Sequence, residues 1–195
     1  MKFISLVFFS LILTSCATTG ESEIKNGKSL GIAPNIQSTE DINKFQKAIK
    51  LLSNNKLSAA KELFTTLMDV HPDLAGPYAN LAIIALRNNK PVEAQNLINQ
   101  SLQRNPNFSQ ALNLLGYIEQ IKGNFKAAEI NYIKAIKNKP NYAIANYNLA
   151  LLYDIYMQDI TRAIPYYERY MDLTHNKDKI TADWLEQIKT SNGKS

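Results

Sequence analysis

Apolar residues follow two different patterns along this chain. Phe3 to Leu13 is an apolar run broken only by two serines, and the charged start Met1-Lys2 precedes it. A stable membrane-spanning helix needs about 20 apolar residues, so this run is too short to be one. From Thr39 onward the apolar residues instead recur at helical spacing. That second pattern predicts amphipathic helices over most of the chain.

The apolar run ends in Leu13-Thr14-Ser15-Cys16, which completes the outline of a signal peptide over residues 1–15. The four residues resemble the bacterial lipobox, whose cysteine receives diacylglycerol and palmitate and becomes the new amino terminus. The resemblance implies a membrane anchor on Cys16, which is also the single cysteine of the chain. The alternative is an ordinary secretory leader that contains a cysteine.

The residue after the cysteine bears on the choice of membrane. In many of the bacterial lipoproteins that this chain resembles, an Asp directly after the cysteine is a signal for retention at the inner membrane. This chain has Ala17 at that position instead. The resemblance therefore implies the outer membrane, on its periplasmic face. Residues 16–38 are polar, contain Gly and Pro, and lack an apolar period, which predicts a lipidated flexible tether. About 22 such residues would span about 25 Å.

A repeat organises the rest of the chain. Pro72, Pro106 and Pro140 lie 34 residues apart, in the segments VHPDL, RNPNF and NKPNY. Small and large apolar residues recur at the same period: Ala48, Ala82, Gly116 and Ala150; then Ala60, Ala94 and Ala128; then Phe64, Ile98 and Tyr132. Small side chains at such positions let two helices approach, and the larger residue fills the space beside them. This pattern resembles the tetratricopeptide repeat (TPR).

The resemblance implies an all-α fold, a right-handed α-solenoid of about four TPR helix pairs over residues 39–176. One irregularity occurs in the fourth unit, where Ala163 falls 13 residues after Ala150 instead of 12. The sequence therefore predicts one inserted residue near Met157 to Asp159. A C-terminal capping helix is predicted over 177–190, because Ile180, Trp184, Leu185 and Ile188 share a face. A buried Trp184 is expected to anchor it.

The resemblance also implies a concave groove, lined by the first helix of each unit, that binds a protein partner. The residues assigned to it are Phe45, Ile49, Ala79, Ile83, Arg87, Asn113, Tyr117, Gln120, Tyr147, Leu151 and Asp154. Chaperone-binding members of the family hold a carboxylate with Lys, Arg and Asn side chains. Only Asn80 matches that set here, so a carboxylate clamp is not expected. Among seven tyrosines between Tyr142 and Tyr170, those not needed for packing are candidate interface anchors: Tyr147, Tyr156 and Tyr166.

Composition and motifs argue against other classes of function. The net charge of +5 is modest and its basic residues are scattered, so no nucleic-acid site is predicted. There is no HExxH, GxSxG or glycine-rich phosphate loop, and His71 and His175 fall near repeat ends. We therefore expect no enzyme, no metal, no cofactor beyond the lipid on Cys16, and no small-molecule substrate.

The sequence thus predicts an outer-membrane lipoprotein whose TPR groove recruits a periplasmic or envelope protein. Small lipoproteins of this build resemble pilotins of type IV pilus systems, the Tad pilus assembly lipoprotein, and adaptors for peptidoglycan hydrolases. Assembly of pilus or secretion machinery and recruitment of peptidoglycan enzymes therefore both stay open. Two alternatives also remain: an accessory domain of a cell-wall enzyme, and a self-associating structural lipoprotein.

Overall fold

The computed structural model describes residues 38–192, and throughout that range the regular structure is helical. Cys16 and nearly all of the predicted tether lie outside the described residues. The helices are α1 Thr39–Ser53, α2 Leu57–Val70, α3 Ala75–Arg87, α4 Pro91–Arg104, α5 Ser109–Ile121, α6 Phe125–Asn138, α7 Ala143–Leu151, α8 Ile160–Leu173 and α9 Lys179–Asn192, with a π-turn Leu152–Tyr156 directly after α7. None of the helices between residues 38 and 192 is long and apolar enough to cross a membrane.

The helices form four consecutive pairs followed by α9, as the repeat predicts. Contacts divide the described residues into two compact units, with the boundary between Leu114 and Leu115. In the first unit α1 packs on α2, α2 on α3, and α3 on α4. In the second unit α6 packs on α7, α7 on α8, and α8 on α9.

The first helix begins where the polar segment gives way to the periodic one. The Ser38 side chain accepts a hydrogen bond from the Asp41 amide at 3.3 Å, which caps the amino terminus of α1. Glu40 and Asp41 lie in the first turn, where acidic residues interact favourably with the helix dipole. Asp159 and Asp178 accept equivalent bonds from the amides of Arg162 and Thr181, at 3.0 and 3.1 Å.

The two helices of each pair pack together through the residues that define the repeat. In the first unit Ala48, Ala60 and Phe64 are fully buried, and Phe64 meets Phe45 edge to face with ring centroids 5.5 Å apart. Ala82, Ala94 and Ile98 are also fully buried. In the second unit Tyr132 and Tyr167 fill the same position, 0% and 1% exposed. These burials confirm the predicted close packing of small against large residues.

The turns inside the pairs share one backbone geometry. Asn55, Asn89, Gly123 and Gln158 all have positive φ, at 56°, 57°, 82° and 53°. Asparagine and glycine adopt this left-handed conformation at least cost, which explains why three of the four positions are Asn or Gly. The first three positions are 34 residues apart, and the fourth comes one residue late.

The structure places the inserted residue earlier in the chain than the predicted segment Met157 to Asp159. The turn itself keeps its form, and the extra residue is taken up earlier, by the π-turn Leu152–Tyr156. In the earlier turns the closing bond spans five residues, as from the Lys56 amide to the Leu51 carbonyl at 2.8 Å. The equivalent bond from the Asp159 amide reaches back six residues, to the Tyr153 carbonyl at 2.8 Å. Widening one helical turn to i→i+5 spacing accommodates the added residue without changing the turn.

The C-terminal helix buries only part of the apolar face that the sequence predicts, since Leu185 and Ile188 are buried and Ile180 and Trp184 are not. Its buried side chains are Thr181, Leu185 and Ile188, at 4%, 8% and 6% exposure. Ile180 and Trp184 are 64% and 42% exposed, so the prediction of a buried Trp184 was wrong. The stripe at i, i+4 and i+7 is the one that faces α8, and Trp184 lies at its edge.

Candidate protein-binding surface

In the first unit the predicted groove residues contribute little exposed surface. Helix α3 is buried around its circumference from Ala75 to Leu86. Ile83 is fully buried and Asn113 is 1% exposed. Arg87 is half-buried, and its Nη1 donates to the Leu52 carbonyl at 2.7 Å. Leu52 lies in the last turn of α1, and its carbonyl also accepts from the Asn55 amide at 3.1 Å, so Arg87 adds a second bond there and joins neighbouring repeats.

The residue that matched the carboxylate clamp is also engaged within the unit. Asn80 is 2% exposed, and its Nδ2 donates to the Gly76 carbonyl at 2.9 Å. Its Oδ1 accepts from Gln110 Nε2 at 3.2 Å. This pairing of amides links α3 to the start of α5, a contact that repeat spacing alone did not predict.

In the second unit Tyr117 and Gln120 lie on α5. Gln120 is 6% exposed and accepts a hydrogen bond at 2.9 Å from the hydroxyl of Tyr132 on α6. Tyr117 is 5% exposed. Burial, with a smaller contribution from neighbouring Tyr156, raises the pKa of Tyr117 to about 12. Its phenol therefore stays protonated at neutral pH.

Tyr147, Leu151 and Asp154 follow along α7 and the π-turn. Tyr147 and Leu151 are each 4% exposed, and the Tyr147 ring lies 4.7 Å from that of Tyr170. Burial raises the pKa of the Tyr147 phenol. Asp154 Oδ2 accepts from the Tyr167 hydroxyl at 2.9 Å and from Trp184 Nε1 at 2.7 Å. Asp154 therefore ties α8 and α9 to the π-turn, a structural role that its assignment to the groove did not anticipate.

The two remaining interface candidates differ in exposure. Tyr156 is 42% exposed, and its ring centroid is 5.2 Å from that of Phe125. Tyr166 is half-buried, and its ring lies 5.8 Å from that of Tyr153. Of the thirteen residues predicted for partner binding, Tyr156 presents the largest exposed apolar surface. A binding role for any of them stays a prediction.

A buried carboxylate beside the π-turn escaped the sequence reasoning. Glu129 is 5% exposed and accepts from Tyr153 at 2.7 Å, Lys126 at 2.6 Å and Arg162 at 3.1 Å. Burial opposes its ionisation, but the bonds from Lys126 and Tyr153 outweigh burial and lower the pKa of Glu129. It joins α6, the π-turn and α8. Only its place next to Ala128, a packing position of the repeat, could have signalled its burial.

The described residues offer little for catalysis. Between residues 38 and 192 no three His, Cys, Asp or Glu side chains are grouped as a metal site would require. His71, at the end of α2, bonds through Nε2 to Asp41 Oδ2 at 2.9 Å. His175 lies in the turn after α8 with φ of 54°. Both histidines lie at repeat ends, as their spacing predicts.

Family models of the tetratricopeptide repeat match residues 44–117, 109–142 and 143–175. Together the matches cover about two thirds of the chain. The chain belongs to the tetratricopeptide repeat family. TPR domains generally mediate interactions between proteins and are typically not catalytic, and this coarser function applies here. No curated protein sequence matches the chain.

Solved TPR structures share the fold at low sequence identity. The thermophilic TPR protein TTC0263 of Thermus thermophilus matches with a TM-score of 0.64 and 18% identity, covering 80% of this chain and 84% of that one. Pseudomonas aeruginosa pilF matches with a TM-score of 0.64 and 19% identity, covering 77% and 69%. The first TPR of Spaghetti, bound to an HSP90 peptide, matches with a TM-score of 0.52 and 20% identity, covering 60% and 93%. At such identities the likeness shows the fold alone.

Proposed function

We propose that this chain is a lipid-anchored TPR adaptor of the bacterial envelope, held at the periplasmic face of the outer membrane, where it recruits a protein partner. Two features support the proposal: the TPR array over residues 44–175 and the lipobox-like LTSC that ends at Cys16. Several acyl chains on one cysteine would hold the protein durably, because each buried CH₂ contributes about 0.8 kcal/mol.

The anchor is tested by metabolic labelling with a radioactive fatty acid in a bacterial host. We expect label in the wild-type chain and none in Cys16→Ser, which would be released from washed envelopes. Density-gradient separation of the two membranes then tests the location. Ala17→Asp should move the protein to the inner-membrane fraction. Labelling of Cys16→Ser at the wild-type level would refute the anchor.

Tyr156 is the exposed aromatic residue that we propose contacts the partner. Aromatic side chains dominate the binding energy of protein interfaces, and Tyr156 extends from a π-turn, a distortion frequent at functional sites. An extended partner segment contacting Tyr156 and Phe125 fits this apolar surface better than a terminal carboxylate would, since the clamp cations are missing. We expect such a segment to belong to a pilus, secretion or peptidoglycan-processing protein.

The partner test is affinity capture from detergent-solubilised envelopes with tagged wild-type protein. We expect one or more envelope proteins whose recovery falls about tenfold with Tyr156→Ala, because truncating an interface residue that contributes to binding costs more than about 1 kcal/mol. Val92→Ala is the matched control, since Val92 is a 75% exposed apolar residue on α4. Equal recovery with Tyr156→Ala and wild type would rule out Tyr156 as the contact. Cleavage of peptidoglycan by the purified protein would instead favour the enzyme alternative.

Self-association has one specific observation in its favour. Ile180 and Trp184 are exposed one helical turn apart on α9, the last described helix. Light scattering on the purified protein distinguishes a monomer from a dimer. A dimer that Ile180→Gln converts to monomer would favour the structural-lipoprotein alternative.

A further inference from the structure

The solvent-facing side of α6 differs from that of the other second helices. Its exposed residues include two isoleucines, Ile130 at 45% and Ile133 at 41%, and three lysines, Lys126, Lys134 and Lys137. These five residues are called the α6 outer face. The one acidic residue of α6, Glu129, is buried. The face therefore combines apolar side chains with three lysines, against a single carboxylate on the same helix.

The corresponding faces elsewhere in the chain do not share this combination. Helix α2 exposes Glu62 and Asp69 beside its lysine, and α4 exposes mainly amides, such as Asn96 and Asn99. Helix α8 exposes Asp172 together with its arginines. The α6 outer face is thus a local feature and not a general property of the repeat.

The spacing within the face pairs each apolar residue with a cation. Ile130 and Lys134, and Ile133 and Lys137, are four residues apart and so lie one turn apart on the helix. Lys126 pairs with Glu129 at 2.6 Å. Within residues 38–192 no ion pair joins Lys134 or Lys137 to a carboxylate. Two lysines therefore remain available to an anionic ligand.

We infer that the α6 outer face binds the surface of an anionic phospholipid bilayer. The isoleucines enter the boundary between headgroups and acyl chains, and the lysines extend along them to reach phosphate groups. An acidic protein would satisfy the charges equally well. A lipid surface fits better because the face is a single helix side without an aromatic or arginine anchor or a pocket, the features that carry protein interfaces.

The inference rests on the proposed function in one respect, the lipid anchor on Cys16. An anchored chain with a tether of about 25 Å stays close to the headgroups, so a weak contact suffices to orient it. Binding of α6 to lipid would fix which side of the second unit faces the periplasm. The anchor itself is not needed to detect the contact.

The test uses residues 17–195, which lack the leader and Cys16 and retain every described helix. Circular dichroism checks that the protein is folded. Co-sedimentation is measured with vesicles of phosphatidylcholine and with equimolar phosphatidylcholine and phosphatidylglycerol. We expect binding to the anionic vesicles alone, weakened by added salt. Folded protein that binds neither vesicle type would overturn the inference.

Charge-matched variants show whether α6 is responsible. Each lysine near an anionic surface strengthens partition about fivefold, so Lys134→Gln/Lys137→Gln should bind about 30-fold more weakly. Lys47→Gln/Lys50→Gln removes the same charge from exposed positions of α1 and should stay within about twofold of wild type. Equal losses in the two variants would overturn the inference, because they would show a response to net charge alone.

A second pair of variants tests insertion of the isoleucines. Ile130→Gln/Ile133→Gln should weaken binding to anionic vesicles at least tenfold, and Val92→Gln should not. Unchanged binding of the isoleucine variant would overturn insertion. Because Cys16 is absent here, failure of lipid binding is distinguishable from failure of the anchor, which the fatty-acid labelling of Cys16→Ser reports separately.

Discussion

Gly116 and Tyr132 should behave as one packing unit, and replacing either alone should cost stability. A Cβ at position 116 would lie 2.7 Å from ring carbons Cδ1 and Cε1 of Tyr132. Ordinary carbon contacts are about 3.5–4.0 Å, so one group would have to move by about 1 Å. The ring is fully buried, and its hydroxyl donates to Gln120 at 2.9 Å. Tyr132 therefore cannot give way without losing that bond.

The magnitude follows from two opposing effects. Gly116→Ala removes a helix penalty of about 1 kcal/mol, but overpacking a closed core costs about 1–3 kcal/mol. We expect a net loss of about 1 kcal/mol. Tyr132→Ile alone should cost about 2–4 kcal/mol, from a cavity and a lost hydrogen bond. The preceding repeat has Ala82 and Ile98 at these two positions. The double variant Gly116→Ala/Tyr132→Ile copies that pair, and the new methyl group fills part of the cavity.

The assay is a double-mutant cycle of urea unfolding followed by circular dichroism. The double variant should lose about 1.5 kcal/mol less than the sum of the single variants, a coupling typical of residues in contact. Gly116→Ala combined with Trp184→Phe is the control and should be additive. Additivity of Gly116→Ala and Tyr132→Ile within about 0.5 kcal/mol would refute the reasoning, as would a Gly116→Ala variant more stable than wild type.

Three further predictions concern polar contacts. The bond from His71 outweighs burial and lowers the pKa of Asp41 below its ordinary value of 3.8. Ionised Asp41 therefore stabilises the fold at pH values above 3.8. This stability is lost as the pH falls through the lowered pKa. Asp41→Asn should therefore be less stable at neutral pH in urea titrations, and the difference should vanish in acid. Glu129→Gln should cost about 2 kcal/mol by the same assay, less than for a fully buried pair because Lys126 and Arg162 are solvated. Trp184→Phe should lose about 1–2 kcal/mol and speed hydrogen exchange in α9, whereas unchanged exchange would contradict the role of Asp154.

The helices and their core could be predicted because one set of contacts repeats along the chain. A residue such as Ala60 or Ile98 is identified by its distance from equivalent residues, and each helix pair buries the same positions. The turns were predictable for a similar reason, since Asn55, Asn89 and Gly123 supply left-handed backbone at a fixed place. Periodicity thus predicts what every unit has in common.

Periodicity predicts less well where a side chain meets a neighbour that only one unit has. The amide pair Asn80 and Gln110 and the carboxylate Glu129 depend on partners in other helices, which no spacing rule specifies. Trp184 shows the limit most clearly. Leu185 and Ile188 are buried as predicted, but the size of Trp184 wrongly suggested that it anchors the helix in the core. The buried side was decided by the fit of Thr181, Leu185 and Ile188 to α8, since the indole can bond Asp154 from the edge.

Asp154 lies within the π-turn, where counting positions from the start of the repeat no longer predicts the direction of a side chain. The groove positions were counted from the start of each repeat, and that count holds only while the helix keeps 3.6 residues per turn. Past Leu152 the chain carries one extra residue, which corresponds to about 100° around the helix axis. Side chains after this point no longer face the direction that their repeat number implies. Asp154 consequently accepts bonds from Tyr167 and Trp184, and Tyr156 packs against Phe125 with tilted rings while remaining exposed. The inserted residue therefore both secures the C-terminal helix and creates the exposed aromatic surface proposed here for a partner.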